Sequence, residues 1–211
     1  MINELRTYTI RPGKVPEFIK YASEIARPAR GDKHGTLEGY WTTEFGQLNQ
    51  AVHLWTYNDL NERDRLSGEL GKNETFQKDY LPKVRPLMMA QENKLLTPIL
   101  SVKRPTEGKH LYELRWYKTE PGKAPEWLAH FKDIMPTREK YSKNVAVWQT
   151  HTGMLNEVVH LWAYDSLNHR AEVRGKVMQD PAWQQFLGKS GGLLQEMRSI
   201  ILVPAPHSPM Q

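Results

Sequence analysis

An internal repeat constrains this chain more than any other feature of its sequence. The segment ELRTYTIRPGKVPEFIKY (Glu4–Tyr21) returns as ELRWYKTEPGKAPEWLAHF (Glu113–Phe131), an offset of 109 residues. A second match joins GQLNQAVHLWTYNDLNER (Gly46–Arg63) with GMLNEVVHLWAYDSLNHR (Gly153–Arg170) at an offset of 107 residues, so the second copy is two residues shorter between the two matches. Two copies of this length predict a fused pair of domains rather than a solenoid, which has shorter and more numerous repeats.

The predicted domains are residues 1–103 and 109–205, with KRPTEGK (Lys103–Lys109) as the segment that joins them. The 211 residues suffice for two small domains that each bury a core. The 39% of hydrophobic and 25% of charged residues are typical of a soluble globular protein. Because the chain has no cysteine, disulfides, thiolate nucleophiles and thiolate metal ligands are excluded.

Each half carries the pattern of a βαββαβ unit. Pro16 and Pro125 fall where the first turn of a helix tolerates proline, and Gly46 with Asn49 marks a hairpin that recurs in the second half. Asn58 and Asp165 are expected to cap the second helical segment. The predicted strands of the first half are Glu4–Ile10, Gly39–Phe45, Gln50–Tyr57 and Lys94–Leu100, and those of the second are Tyr112–Tyr117, Ala146–Thr150, Glu157–Tyr164 and Ser199–Val203.

This order of elements favours an antiparallel sheet with two helices on one face, the ferredoxin-like arrangement. The opposite face would expose more apolar surface than a monomer usually tolerates, so it needs a partner sheet, and the tandem copy supplies one. We therefore predict an α+β protein in which two tandem ferredoxin-like (βαββαβ) domains form an intrachain pseudo-dimeric α/β barrel. The helices are expected on the outside.

Both copies of the second motif place a histidine within a strand. Side chains alternate along a strand, so His53 shares a face with Trp55 and Tyr57, and His160 shares one with Trp162 and Tyr164. We expect these faces to point between the two sheets, together with the polar set of the first strand. The candidate catalytic residues are His53 and His160, and the candidate ligand-binding residues are Arg6, Tyr8, Trp55, Tyr57, Arg63, Arg115, Tyr117, Trp162, Tyr164 and Arg170.

Two structural alternatives compete with a binding site. In the first, Glu4 with Arg6, and Glu113 with Arg115, are paired polar groups that fix strand register, because buried charge is costly unless it is paired. In the second, the histidine face lies under the helices as satisfied core. The trailing residues Arg63 and Arg170 are either surface arginines of a helix or a clamp for a carboxylate.

The sequence lacks the usual motifs of several other functions. No P-loop, no Gly-x-Gly-x-x-Gly and no Gly-x-Ser-x-Gly occurs, so we predict no nucleotide cofactor and no hydrolytic triad. Only two histidines recur at matched positions, so we predict no metal site. Lysine and arginine are interleaved with acids despite the formal charge of +5, which disfavours nucleic-acid binding. The amino end lacks the apolar core of a signal peptide and no apolar run is long enough to span a bilayer, so we expect a cytoplasmic protein without a membrane span.

The doubled VHLWTY…LNER and VHLWAY…LNHR, preceded by ELRTY…PGK and ELRWY…PGK, resemble the NIPSNAP family over nearly the whole chain. That family is similar in fold to the dimeric α/β barrel superfamily, whose relatives include cofactor-free monooxygenases and haem-handling enzymes. The resemblance implies the barrel and adds little biochemistry. The two halves differ at one nearby position, since Ser67 stands where the second half has Arg174.

Two functions are compatible with these observations. In the first, the barrel binds or transforms a small aromatic or anionic molecule without a cofactor, in the manner of a cofactor-free oxygenase. His53 and His160 then act as hydrogen-bond partners or general bases, and Arg6 and Arg115 hold an anionic group. In the second, the protein is a non-catalytic interaction module that presents its helices to another protein. A homo-oligomer is compatible with either function.

Overall fold

The computed structural model describes residues 1–105 and 108–211. Within this range the chain divides into two compact units, the first comprising Met1–Leu96 with Val203–Gln211 and the second comprising Thr97–Leu202. The predicted linker Lys103–Lys109 contains Thr106 and Glu107, which lie outside the described residues. None of the described helices is long and apolar enough to cross a membrane.

The first half of the chain contains four strands and four short α-helices. Two π-helical segments and one 3₁₀ turn extend these helices. The elements are β1 (Ile2–Ile10), α1 (Val15–Tyr21), a π-helical segment (Ala22–Ala26), α2 (Arg27–Arg30), β2 (Thr36–Phe45), β3 (Gln50–Tyr57), α3 (Leu60–Leu70), a second π-helical segment (Phe76–Tyr80), α4 (Leu81–Val84), a 3₁₀ turn (Arg85–Leu87) and β4 (Met88–Leu100).

The second half repeats this order with fewer and longer helices. Its elements are β5 (Leu111–Thr119), α5 (Ala124–Arg138), β6 (Lys143–Thr150), β7 (Glu157–Tyr164), α6 (Leu167–Val177), α7 (Pro181–Ser190), a 3₁₀ turn (Gly191–Leu193) and β8 (Leu194–Pro204).

The strands are antiparallel and follow the predicted βαββαβ connectivity. In the first unit β1 lies between β3 and β4, and in the second unit β5 lies between β7 and β8. The strand order is β1-β3-β2-β8-β5-β7-β6-β4, and hydrogen bonding closes it into a barrel. The predicted α+β barrel of two tandem βαββαβ halves is therefore confirmed. Equivalent registers place Arg6 opposite His53 and Arg115 opposite His160.

Local sequence signals set several of the element boundaries. Proline lies in the first turn of both α1 and α5, as predicted. Asn49 and Asn156 adopt φ values of 59° and 60° in the hairpin turns, a conformation that asparagine tolerates better than most residues. The helix caps fall one residue later than predicted, because the side chains of Asp59 and Ser166 accept the free N–H groups of α3 and α6.

The structure also locates the two residues by which the halves differ in length. In the first unit, the stretch from Val15 to Arg30 includes a π-helical segment, whereas its counterpart α5 is α-helical and one residue shorter. The second extra residue lies in the loop that precedes β2. The last strands, β4 and β8, begin earlier than predicted, because their first residues are mostly exposed and do not alternate between apolar and polar.

The predicted orientation of the histidine faces is wrong. The faces that carry His53 and His160 were expected to point between the two sheets, and they meet the helices instead. Tyr8 contacts Phe18 of α1 with ring centroids 6.3 Å apart, and His160 contacts Phe131 of α5 at 5.1 Å. The histidine rings therefore lie beneath the helices of their own unit. The opposite sheet face carries small aliphatic residues such as Val52 and Leu54, which pack to 0% and 1% exposure without any polar tip to satisfy. The large amphipathic residues instead occupy the side where helices supply polar partners.

Candidate functional site

A hydrogen bond between tryptophan and histidine recurs in both units. Trp55 Nε1 donates to His53 Nδ1 and Trp162 Nε1 donates to His160 Nδ1, both at 2.6 Å. The indole nitrogen is only a donor, so Nδ1 of each imidazole must be the acceptor. Each neutral ring therefore carries its proton on Nε2.

Within residues 1–105 and 108–211, the Nε2–H groups of these two rings lack a hydrogen-bond acceptor. Both nitrogens are buried, and among the described residues neither has a hydrogen-bond acceptor. The side chains themselves are almost inaccessible, with His53 4% and His160 2% exposed. A buried unpaired donor costs free energy, and its occurrence at two equivalent positions calls for an explanation. An acceptor on a bound molecule would satisfy each of them.

Both imidazoles are neutral in the folded protein. Burial lowers the pKa of His53 and of His160 well below the ordinary value, because desolvation penalises the charged ring. Nearby arginines lower both pKa values further: Arg6 and Arg30 act on His53, and Arg115, Arg138 and Arg174 act on His160. The two rings are therefore hydrogen-bond donors at neutral pH, and their only proton-free nitrogen already accepts from an indole.

An arginine completes the same arrangement in each unit, half-buried as Arg30 in the first and buried as Arg138 in the second. The guanidinium carbon of Arg30 lies 3.3 Å from the ring centroid of Trp55, and that of Arg138 lies 4.5 Å from the ring centroid of Trp162. Each indole thus carries an arginine over its ring and a histidine at its N–H. We name these groups the first array (Arg30, Trp55, His53) and the second array (Arg138, Trp162, His160).

The two arginines of the arrays have no carboxylate partner within the described part of the chain. Arg30 donates to the carbonyl of His34 and to Tyr57, and Arg138 donates to Ser142 at 2.7 Å and to Tyr164 at 3.5 Å. Burial lowers the pKa of both guanidiniums, yet arginine stays charged at any physiological pH. Arg138 is 3% exposed, and a buried cation that pairs with no described carboxylate favours an anionic ligand.

Sequence reasoning missed Arg30 and Arg138. Their numbers differ by 108, an offset that neither sequence match has. The two arginines follow the extra residue of the π-helical segment, which lowers the offset from 109 to 108, and precede the extra loop residue, which lowers it to 107. The available signal was the apolar stripe of each first helix. It ends in an arginine in both halves, three residues after Met135 in one and four after Ala26 in the other.

The buried acids Glu4 and Glu113 hold the arginines that were predicted as ligand clamps. Glu113 is fully buried and receives Arg170 through Nε at 3.0 Å and Nη2 at 2.6 Å, and Arg115 at 2.6 Å. Glu4 receives Arg63 and also Asn93, the latter at 2.7 Å. Burial raises the pKa of Glu113, but the bonds from Arg170 and the charge of Arg115 outweigh it and leave that pKa below its ordinary value. These clusters tie the first strand of each unit to the helix that follows its third strand, β1 to α3 and β5 to α6.

The second unit contains the larger cavity, about 570 Å³ in volume. His160, Trp162, Arg115 and Tyr117 line it from the sheet. The helices and the start of β8 contribute the remaining walls. These include the aromatic residues Trp127, Phe131, Trp183 and Phe186 and two further arginines, Arg138 and Arg174. Glu196 is the one acid among the described lining residues, so the cavity has an excess of positive charge.

The first unit contains a smaller cavity of about 130 Å³ at the equivalent place. Tyr40 explains part of the difference, because its ring stacks on His53 with centroids 4.7 Å apart and an interplanar angle of 4°. The second unit has Val147 opposite His160 instead. His207 of the carboxy-terminal segment adds to the filling, since its ring contacts Tyr40 and its Nδ1 lies 2.6 Å from Ser23 Oγ.

Eight of the twelve predicted site residues line these cavities and four do not. The eight are Arg6, Tyr8, His53 and Trp55 in the first unit and Arg115, Tyr117, His160 and Trp162 in the second. Arg63 and Arg170 bind the buried glutamates instead. Tyr57 and Tyr164 lie behind the cavity walls, where they accept hydrogen bonds from the two array arginines. Within residues 1–105 and 108–211, no three His, Asp or Glu side chains cluster as metal ligands do.

The profile of the NIPSNAP family matches residues 3–101 and again residues 112–209. The chain belongs to the NIPSNAP family. Among its relatives is human Protein NipSnap homolog 3A, which is 30% identical over 213 residues that cover 99% of this chain and 85% of the human protein. The tandem NIPSNAP halves therefore correspond to nearly all of the described fold.

Solved structures with the same fold are more distant in sequence. A proposed monooxygenase from Lactobacillus acidophilus NCFM matches with a TM-score of 0.70 and 15% identity, covering 96% of this chain and 92% of that one. An anthrone oxidase-like protein matches with a TM-score of 0.69 and 12% identity, covering 100% of this chain and 94% of that one. At these identities the similarity shows that this NIPSNAP chain shares their fold.

Replacing Glu113 by glutamine tests whether the buried acid ties its unit together. The substitution leaves Arg115 and Arg170 facing a neutral group in a dry site, so we expect a loss on the order of 3 kcal/mol in the free energy of unfolding. Denaturant unfolding measures it. The control Glu74→Gln removes an exposed ion pair with Lys78 and should leave the unfolding midpoint unchanged. Equal effects of the two substitutions would contradict the assignment.

The neutral histidines predict a pH dependence of stability. Their folded pKa values lie below 6.5, so in more acidic solution the unfolded chain binds protons that the folded chain does not, and stability falls as the pH drops below 6.5. Each histidine contributes a slope of up to about 1.4 kcal/mol per pH unit. In the double variant His53→Gln/His160→Gln, the free energy of unfolding should depend less steeply on pH between pH 6.5 and the pH at which carboxylates begin to titrate. The variant His151→Gln, at an exposed site, should leave this slope unchanged. An unchanged slope in the double variant would refute the neutral state.

Proposed function

We propose that this NIPSNAP protein binds a planar, anionic small molecule in the cavity of its second unit, beneath α5 and α7. The observation that carries the proposal is the second array, in which a buried Nε2–H without an acceptor and a buried guanidinium without a carboxylate line one cavity. Both groups are costly in an empty site and favourable in an occupied one.

The size and the walls of the cavity indicate what the ligand looks like. A volume of about 570 Å³ falls within the range of small-molecule sites. Trp127 and Phe131 have ring centroids 4.5 Å apart, and Trp183 and Phe186 have centroids 4.8 Å apart, so aromatic surface lines the helical side. Aromatic walls with a few convergent polar groups favour a flat, partly aromatic body.

Three arginines give the cavity its preference for an anion. Arg115 is already bound to Glu113 and Tyr117, so it mainly contributes charge. Arg138 is 3% exposed, and among the described residues it donates only to Ser142 and Tyr164. The side chain of Arg174 is 38% exposed and lies on the cavity wall, 4.0 Å from Glu113. A planar guanidinium binds a carboxylate through two parallel hydrogen bonds, which suits an aromatic acid. The first unit has Ser67 in place of Arg174, which favours the second unit as the site for such a ligand.

The protonation state of His160 determines which chemistry the site supports. Its Nε2–H donates, so it stabilises negative charge on an oxygen of the bound molecule, as donors do for enolates and phenolates. A role as general base would require the Nδ1 lone pair, which Trp162 occupies. An oxygenase-like reaction without a cofactor would therefore draw on His160 as an oxyanion donor, with the substrate anion held by Arg138.

Binding of 1-hydroxy-2-naphthoate to the full chain tests the proposal. We expect the wild-type protein to be stabilised in a thermal-shift titration and to bind the compound in calorimetry. Arg138→Gln should weaken binding by at least about tenfold, because it removes a charge-assisted contact. His160→Phe should weaken it by about fivefold, because it removes the donor.

The control variant Arg65→Gln removes an exposed arginine that pairs with Glu69, and should bind like the wild type. Thermal midpoints of the ligand-free variants verify that each one folds. Absence of binding to the wild type by both methods would overturn the proposal and favour the interaction-module function. Equal affinity of wild type and Arg138→Gln would also overturn it.

A further inference from the structure

The small cavity of the first unit has an unusual charge balance. Arg6, Arg27 and Arg30 are on its wall, and its described lining contains no aspartate or glutamate. Arg27 pairs with Asp32 outside the cavity, and Arg6 donates to Tyr8 and Glu4. Arg30 is the arginine left to bind an anion, because within the described residues its Nη1 has no acceptor.

His53 also lines this cavity and carries a second donor without an acceptor among the described residues. Its Nδ1 is occupied by Trp55, and its Nε2–H is buried without an acceptor in the described structure. Tyr40 stacks on the ring and Tyr8 contacts it edge-on at 4.9 Å, so the imidazole is held in a fixed orientation. Trp55 links the two donors, since Arg30 lies over its ring and His53 binds its N–H.

Both π-helical segments of the protein's described part border this cavity. Ala22 and Ala26 belong to the first, and Phe76 and Tyr80 belong to the second. The equivalent helices of the second unit contain none. A π-helical turn is less favourable than a regular α-helical one and occurs frequently at functional sites. The first unit has therefore reshaped its helices around its own cavity.

The volume limits the ligand to a small molecule. A cavity of about 130 Å³ is close to the size that holds a benzene molecule, so its occupant has about six heavy atoms. This volume favours an occupant smaller than the aromatic acid proposed for the second unit. An anion with a neutral acceptor next to it matches both donors.

We propose that the first unit is a separate binding site for a small 2-oxo carboxylate. The carboxylate binds the guanidinium of Arg30, and the adjacent keto oxygen accepts from Nε2–H of His53. This site lies in a different unit from the cavity of the second unit and uses different residues. It can therefore be tested independently of the anion site proposed there.

Pyruvate is the probe for this site and propionate is its matched control, because propionate has a carboxylate and lacks the keto oxygen. The full chain is labelled with [15N]histidine and each compound is titrated while the imidazole nitrogens are observed by NMR. His53→Gln identifies the signals of His53. We expect pyruvate to shift the Nε2 signal of His53, and propionate to bind about tenfold more weakly because it leaves that donor unpaired.

Variants of the arginine provide the second arm. Arg30→Gln should weaken pyruvate binding by at least about tenfold and Arg30→Lys by less, because lysine keeps the charge and loses the planar fork. Arg65→Gln, at an exposed position, should bind like the wild type. Equal affinities for pyruvate and propionate would overturn the proposal, and so would pyruvate shifts confined to His160. The comparison of the two probes needs no variant, so it remains decisive even where Arg30→Gln fails to fold.

Discussion

The hydrogen bond from an indole N–H to an imidazole Nδ1 organises both arrays of this protein. Because tryptophan can only donate, the bond fixes which histidine nitrogen carries the proton and leaves a buried N–H on a ring that lines a cavity. Burial keeps the imidazole neutral, and the arginine over the same indole places a cation beside the neutral donor. A titratable residue is thereby converted into a fixed donor, which suits recognition of an anion and of a developing oxyanion.

The two units keep this arrangement and vary what surrounds it. Tyr40 stands opposite His53, where the second unit has Val147 opposite His160, and Ser67 replaces Arg174. The first cavity is small and bordered by π-helical turns, whereas the second is wide and aromatic. A tandem repeat allows this divergence, because each half contributes its own strands, helices and array, and the two copies can accept different substitutions.

Much of the fold was predictable from sequence, since the repeat, the βαββαβ order and the alternation in VHLWTY and VHLWAY follow from local pattern. The same pattern grouped His53 with Trp55 and His160 with Trp162. Alternation defines two faces of a strand but does not say which one meets the helices, and the orientation predicted here was wrong for that reason. Arg30 and Arg138 escaped detection because a single π-helical residue breaks the constant offset on which repeat matching relies.

The proton position on the two imidazoles tests the account most directly. Nitrogen-15 chemical shifts of His53 and His160 in the full, ligand-free chain at neutral pH distinguish a protonated ring nitrogen from an unprotonated one. The account predicts an unprotonated Nδ1 and a protonated Nε2 in both rings. Cationic rings, or a proton on Nδ1 with Nε2 free, would contradict it.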